Sequence, residues 1–127
     1  MASELRVNTL KDAAGNNSIA TSFVANGSAK AYGNVTQIST TSYAGSFNCS
    51  SISDSGTGNF VTTRTTNMGN ANYSTTGAVM ANRAGDMTAN SGDTYTTSQT
   101  EFVTCDTRNV ALTDYDKSCF QISGDLA

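Results

Sequence analysis

The chain contains no histidine, which removes Ser-His and Cys-His nucleophilic pairs and the commonest metal ligand together. The residues left that could do chemistry are three cysteines, two glutamates and eight aspartates. Cys49, Cys105 and Cys119 include no C-x-x-C pair, so the ligands and spacing of a zinc site are missing. No glycine-rich loop leads into a lysine and a helix, as phosphate cradling would require. A hydrolytic carboxylate pair of the glycosidase kind needs two acids held on either side of a sugar bond. Glu4 and Glu101 are the only glutamates, and the aspartates fall mainly in turn-like segments, where local hydrogen bonding accounts for them. Asp114-Tyr115-Asp116 resembles a fragment of a calcium loop but lacks the downstream glycine and bidentate glutamate. It reads as a loop between strands, as does the acidic stretch around Asp86 and Asp93. The expectation is no enzyme and no cofactor.

Other residue types point to binding or covalent linkage. Tyr32, Tyr43, Tyr73, Tyr95 and Tyr115 could line a sugar-binding face, although strand tyrosines usually bury the ring and leave the hydroxyl outside. Asn16, Asn26, Asn34, Asn48 and Asn72 each begin an Asn-x-Ser/Thr triplet, a frequency that this composition produces by chance. Three cysteines cannot close a disulfide framework. A Cys105–Cys119 bridge across a hairpin is geometrically conceivable, but buried thiols acting as small hydrophobes are the expectation.

These residues must be held by a chain of 127 residues, room for one domain. Leu, Ile, Val and Phe make up roughly 16%, below the ~20% at which chains begin to look disordered. With a net charge of only −3, self-repulsion is weak, so the thin core implies burial shared with neighbouring copies. Ser, Thr and Asn supply roughly two-fifths of the chain and proline is absent, which favours strands and short turns. The seven basic residues are scattered and the pI is near 4.5, against nucleic acid as a partner. No apolar run reaches the ~18 residues of a membrane span, so membrane insertion is not expected. The start, Met1 to Arg6, has no signal-peptide core, so use without export is expected.

Residues 1–24 read as an extended N-terminal arm. Leu5 and Val7 alternate with polar residues and Leu10 follows, before the turn-like Ala14-Gly15-Asn16-Asn17. Such an arm could attach to a neighbouring subunit or to another particle component by adding a strand to a sheet edge. Residues 25–127 read as an all-β domain, a small antiparallel β-sandwich or open barrel. Its strands are expected at Ala29–Ile38, Ser42–Ile52, Asn59–Thr66, Tyr73–Ala81, Thr100–Thr107 and Ser118–Ser123, with a turn at Asp54–Gly58. Phe60, Thr62 and Arg64 share one strand face. Asn82–Asp93 reads as an exposed loop tip carrying Arg83, Asp86, Met87 and Asp93. No helix-period stretch of useful length appears.

One block carries a resemblance. Ser46-Phe47-Asn48-Cys49-Ser50-Ser51-Ile52-Ser53-Asp54-Ser55-Gly56-Thr57-Gly58-Asn59-Phe60, continuing through Thr65-Thr66-Asn67-Met68 to Ala71-Asn72-Tyr73, resembles small β-rich virion proteins of tailed phages, especially those of cyanobacteria and marine bacteria. Ser3 to Asp12 with Ala14-Gly15-Asn16, Ala25 to Tyr32 and Phe120 to Asp125 are similar to the same family. The resemblance implies a multi-copy virion component without a catalytic residue: a capsid decoration protein, or a tail-fibre or tail-appendage module. It further implies a homotrimer, other virion proteins (capsid or tail) as partners, and host surface glycans if the chain sits on the tail. Arg64 stands where the family has a large apolar side chain, so either that face is exposed or Arg64 makes a buried contact at a subunit interface. A secreted carbohydrate-binding module is the rival of another class.

Overall fold

The computed structural model describes residues 3–80, 85–90, 92 and 94–127. Two antiparallel sheets pack face to face behind a short N-terminal arm. In the arm, β1 (Thr9–Lys11) pairs with β2 (Ser18–Ala20), and α1 (Thr21–Gly27) follows. The expected arm boundary after residue 24 therefore falls inside a helix of seven residues, too short for the sequence to announce by periodicity.

The first sheet of the body has the order β4-β3-β11-β7, from β3 (Ala29–Thr36), β4 (Ser42–Phe47), β7 (Ser74–Met80) and β11 (Lys117–Ser123). In the second, β6 (Asn59–Arg64) pairs with β5 (Cys49–Gly56) and with β9 (Gln99–Asp106). β9 also pairs with β8 (Gly85–Ala89) and with β10 (Ala111–Leu112). All pairings are antiparallel, and the all-β sandwich expected from composition and strand spacing is what forms.

Alternation drives the closure. Along β11, Ser118, Phe120 and Ile122 are buried while Lys117, Cys119 and Gln121 are exposed, the period of two that puts successive side chains on opposite faces. Ala31 and Val35 of β3 point the same way and meet Phe60, Met87 and Phe102 from the second sheet. The Phe102 and Phe120 rings stack at 4.6 Å and Phe60 lies 5.6 Å from Phe102, so three phenylalanines fill the middle of a core otherwise short of bulk. Gly33 makes room for one of them: a Cβ there would lie 2.5 Å from Phe120 Cε1.

Two departures from expectation have physical causes. Ser42–Ile52 is not one strand, because Asn48 takes φ 53° and passes the chain from the first sheet to the second. Asparagine tolerates that left-handed conformation better than most residues. Its side chain also donates to Lys30 O at 2.9 Å and Thr66 O at 3.0 Å, and accepts from Thr66 N at 2.7 Å. The second departure lies within 82–93. Gly85–Ala89 is strand β8, with Met87 opposite Thr104 of β9 and only 5% exposed.

Candidate interaction surfaces

The arm has secondary structure without a core. Leu10 and Ile19 face each other across the β1–β2 pair, and both are exposed. Leu5, Val7, Phe23 and Val24 are exposed too, and α1 buries no residue and has no side-chain N-cap. The three expected attachment residues, Leu5, Val7 and Leu10, are thus available on the surface. Polar contacts hold the arm instead. Asp12 accepts from Asn16 N at 2.9 Å and from Asn17 Nδ2 at 2.8 Å. A slight burial of the Asp12 carboxyl raises its pKa, but these bonds outweigh it and hold the group below the ordinary carboxylate value. At the body end, Lys30 Nζ donates to Ala25 O and Ser28 Oγ.

The two sheets differ in their outer faces. That of β5-β6-β9-β8 carries Ser51, Ser53, Thr63, Glu101, Asp86 and Thr88 around Val61, Val103 and Cys105, a largely polar surface. On the other sheet, the register aligns Phe47, Tyr32, Gln121 and Thr76 in one row, and Gly45, Asn34, Cys119 and Ala78 in the next. Tyr32 and Phe47 stack at 5.8 Å although about half of each is exposed. The small residues of the second row leave an open groove of about 510 Å³ across β3, β11 and β7. Met80 stands exposed near its far end.

Arg64 belongs to neither surface, which corrects the reading of an exposed face, and its buried polar contacts are made to the Thr96–Gln99 turn of its own chain. It is 3% exposed and its bonds stay within its own chain. Nε donates to Thr97 O at 2.9 Å, Nη1 to Thr100 Oγ1 at 2.8 Å, and Nη2 reaches Thr96 O, Gln99 O and Tyr73 Oη within 3.2 Å. The guanidinium is buried because backbone carbonyls of the Thr96–Gln99 turn replace its water, so it is a structural cross-tie.

The expected loop tip is likewise corrected. Met87 is core and packs toward Gly77, where a Cβ would lie 2.8 Å from its sulfur. Asp86 is exposed on strand β8 rather than on a loop. Arg83 and Asp93 lie outside the described residues. The Cys105–Cys119 bridge does not form, since the two occupy different sheets and all three thiols are free. Cys119 is exposed in the groove, against the expectation of a buried thiol.

The remaining candidates have structural roles. Asp114 Oδ1 accepts from Gly58 N at 2.6 Å and so pins the β5–β6 turn, where Gly58 has φ 70°. Among the described residues, no three His, Cys, Asp or Glu side chains are grouped to hold a metal ion. No helix among the described residues is long and apolar enough to cross a membrane. Tyr73 and Tyr95 stack at 4.5 Å and Tyr115 donates to Cys105 O at 3.1 Å. Tyr43 donates its hydroxyl toward Ser51 O and meets Thr62 Oγ1, and burial pushes its pKa well up. Only Tyr32 offers an open ring face.

Sequence reasoning missed the Tyr32–Phe47 pair and the sheet-crossing role of Asn48. The second had a signal, an asparagine amid a strand-like run, where Asn is disfavoured. The first had none, because the pairing depends on the β3–β4 register. Searches of protein-family models, of curated proteins and of solved structures each found no match to this chain.

Proposed function

We propose that this chain is a non-enzymatic structural component of a tailed-phage virion, a multi-copy accessory protein that decorates or reinforces the capsid surface. The observation that carries the reading is the arm: the body closes its own core while the large apolar side chains of the arm point to solvent. A module that docks by its arm has that arrangement, because an exposed apolar segment of this size gains stability only against another surface. The resemblance of Ser46–Tyr73 supplies the kind of particle. The partners are further copies of the chain, as a homotrimer, and neighbouring virion proteins.

The test is quantitative mass spectrometry of purified particles, with antibody labelling of the intact virion. Many copies per particle, with label over the shell, is the expected result, and absence from purified particles would refute the proposal. A second reading, a tail appendage contacting host glycans, is favoured by the exposed Tyr32–Phe47 stack, since an open aromatic face can stack on a sugar ring. Label at the tail and glycan-array binding lost in Tyr32→Ala would select it. Array binding by a chain that is absent from particles would instead select the carbohydrate-binding module.

A further inference from the structure

We propose that the groove on the outer face of the β4-β3-β11-β7 sheet receives the arm of a second copy of this chain. The Leu10–Ile19 pair would sit against the Tyr32–Phe47 stack, over Cys119. This deepens the reading of the arm as an assembly element and rests on it.

The argument begins with what the arm cannot do alone. A helix of seven residues is well short of the ~12–15 needed for even marginal stability in water. A hairpin of three paired residues per strand is likewise marginal by itself. Neither buries a side chain in its own body, so a further surface must order them. Among the described residues, the outer face of β4-β3-β11-β7 offers such a surface, because it exposes Tyr32, Phe47, Cys119 and Met80 among the polar Asn34, Gln121 and Thr76. Its floor of Gly45, Asn34, Cys119 and Ala78 is low enough to admit another element between the Tyr32–Phe47 stack and Met80.

The area fits. The chain exposes 7771 Å², whereas a compact monomer of 13.2 kDa exposes roughly 6,400 Å². The excess, about 1,400 Å², exceeds the ~800 Å² that each partner contributes to a standard interface. Charge does not oppose the contact, because Glu4, Arg6, Lys11 and Asp12 cancel within the arm and the groove-lining residues carry no charge, with Lys117 flanking the groove beside Met80. Each copy has one arm to give and one groove to fill, so the exchange closes into a ring or a two-fold pair without a different protein.

Cys119 makes the contact readable in the purified full-length protein. Leu10→Cys, mildly oxidised, is expected to give disulfide-linked copies on a non-reducing gel, and Leu10→Cys combined with Cys119→Ser to give none. Leu10→Asp is expected to weaken self-association about tenfold or more in sedimentation, with the far-ultraviolet circular dichroism of the body unchanged. A monomeric wild-type protein, no cross-link, or a cross-link that survives Cys119→Ser would each overturn the proposal. Failure here leaves the virion reading standing if the chain is still found on particles. Conversely, a cross-linked oligomer absent from particles sinks that reading and keeps this one.

Discussion

The guanidinium of Arg64, at the end of β6, lies over the ring of Tyr73, which leads into β7 of the opposite sheet, 4.8 Å from its centroid. Nη2 also reaches the Tyr73 hydroxyl at 3.2 Å, so one arginine ties the two sheets and the Thr96–Gln99 turn at one end of the sandwich. Cation–π attraction adds about 2 kcal/mol where both groups are desolvated, and Arg64 is nearly fully buried.

The forked geometry of that contact makes Arg64→Lys non-conservative. An ammonium cannot reach acceptors on three sides of a planar group at once, and unsatisfied buried carbonyls cost about 1–3 kcal/mol each. Arg64→Lys is expected to lower stability by about 2–3 kcal/mol in urea unfolding, and Tyr73→Phe by less. An Arg64→Lys protein as stable as wild type would show that the fork is dispensable.

Gly33 and Gly77 provide a graded test of packing. At Gly33 a Cβ meets the Phe120 ring at 2.5 Å and the Tyr43 ring at 2.9 Å, whereas at Gly77 it meets the flexible Met87 sulfur at 2.8 Å. Aromatic rings wedged in the core cannot yield, and overpacking there costs about 1–3 kcal/mol. Gly33→Ala should therefore depress the melting temperature more than Gly77→Ala. The reverse order would mean that Phe120 is free to move.

Asn48 combines a left-handed backbone with three hydrogen bonds to two other segments. Asn48→Gly keeps the backbone freedom and loses the bonds; Asn48→Ala loses both. Equilibrium unfolding should rank wild type above Asn48→Gly and that above Asn48→Ala, each step about 1 kcal/mol or more. Equal stability of Gly and Ala variants would show that the backbone conformation carries no strain.

The Asp12 carboxyl has its pKa depressed in the folded arm by hydrogen bonds from Asn17, Asn16 and Gly15, despite the upward push of a slight burial. Ionised Asp12 thus supports the β1–β2 turn above its unfolded pKa, ~3.9. That support is lost as pH falls through the lower folded value. Carboxyl NMR titration should place the Asp12 midpoint below that of a model peptide, with the Asn16 and Asn17 amides shifting in step. A midpoint at or above the peptide value would show that the turn does not form.

How much of this was legible depends on range. Tyr73 to Val79, Phe102 and Phe120 to Ile122 announce strands because alternation over a few residues is a local property, and the sandwich follows from their number and spacing. Asp54–Gly58 likewise announces its turn through its own residue types. The absence of histidine and of metal-ligand spacing is a property of the sequence itself, whatever the fold.

Partners distant along the chain are another matter. Arg64 stood out as a misfit on an apolar face, but only the closure of the Thr96–Gln99 turn around it decided that it would be satisfied within its own chain. Met87 read as a lone apolar residue in a polar loop until pairing with β9 turned it inward. Tyr32 and Phe47 became a stacked pair, and Cys119 the floor of a groove, through strand register alone. Register and sheet packing minimise the energy of the whole set of contacts, and no short window of sequence contains that sum.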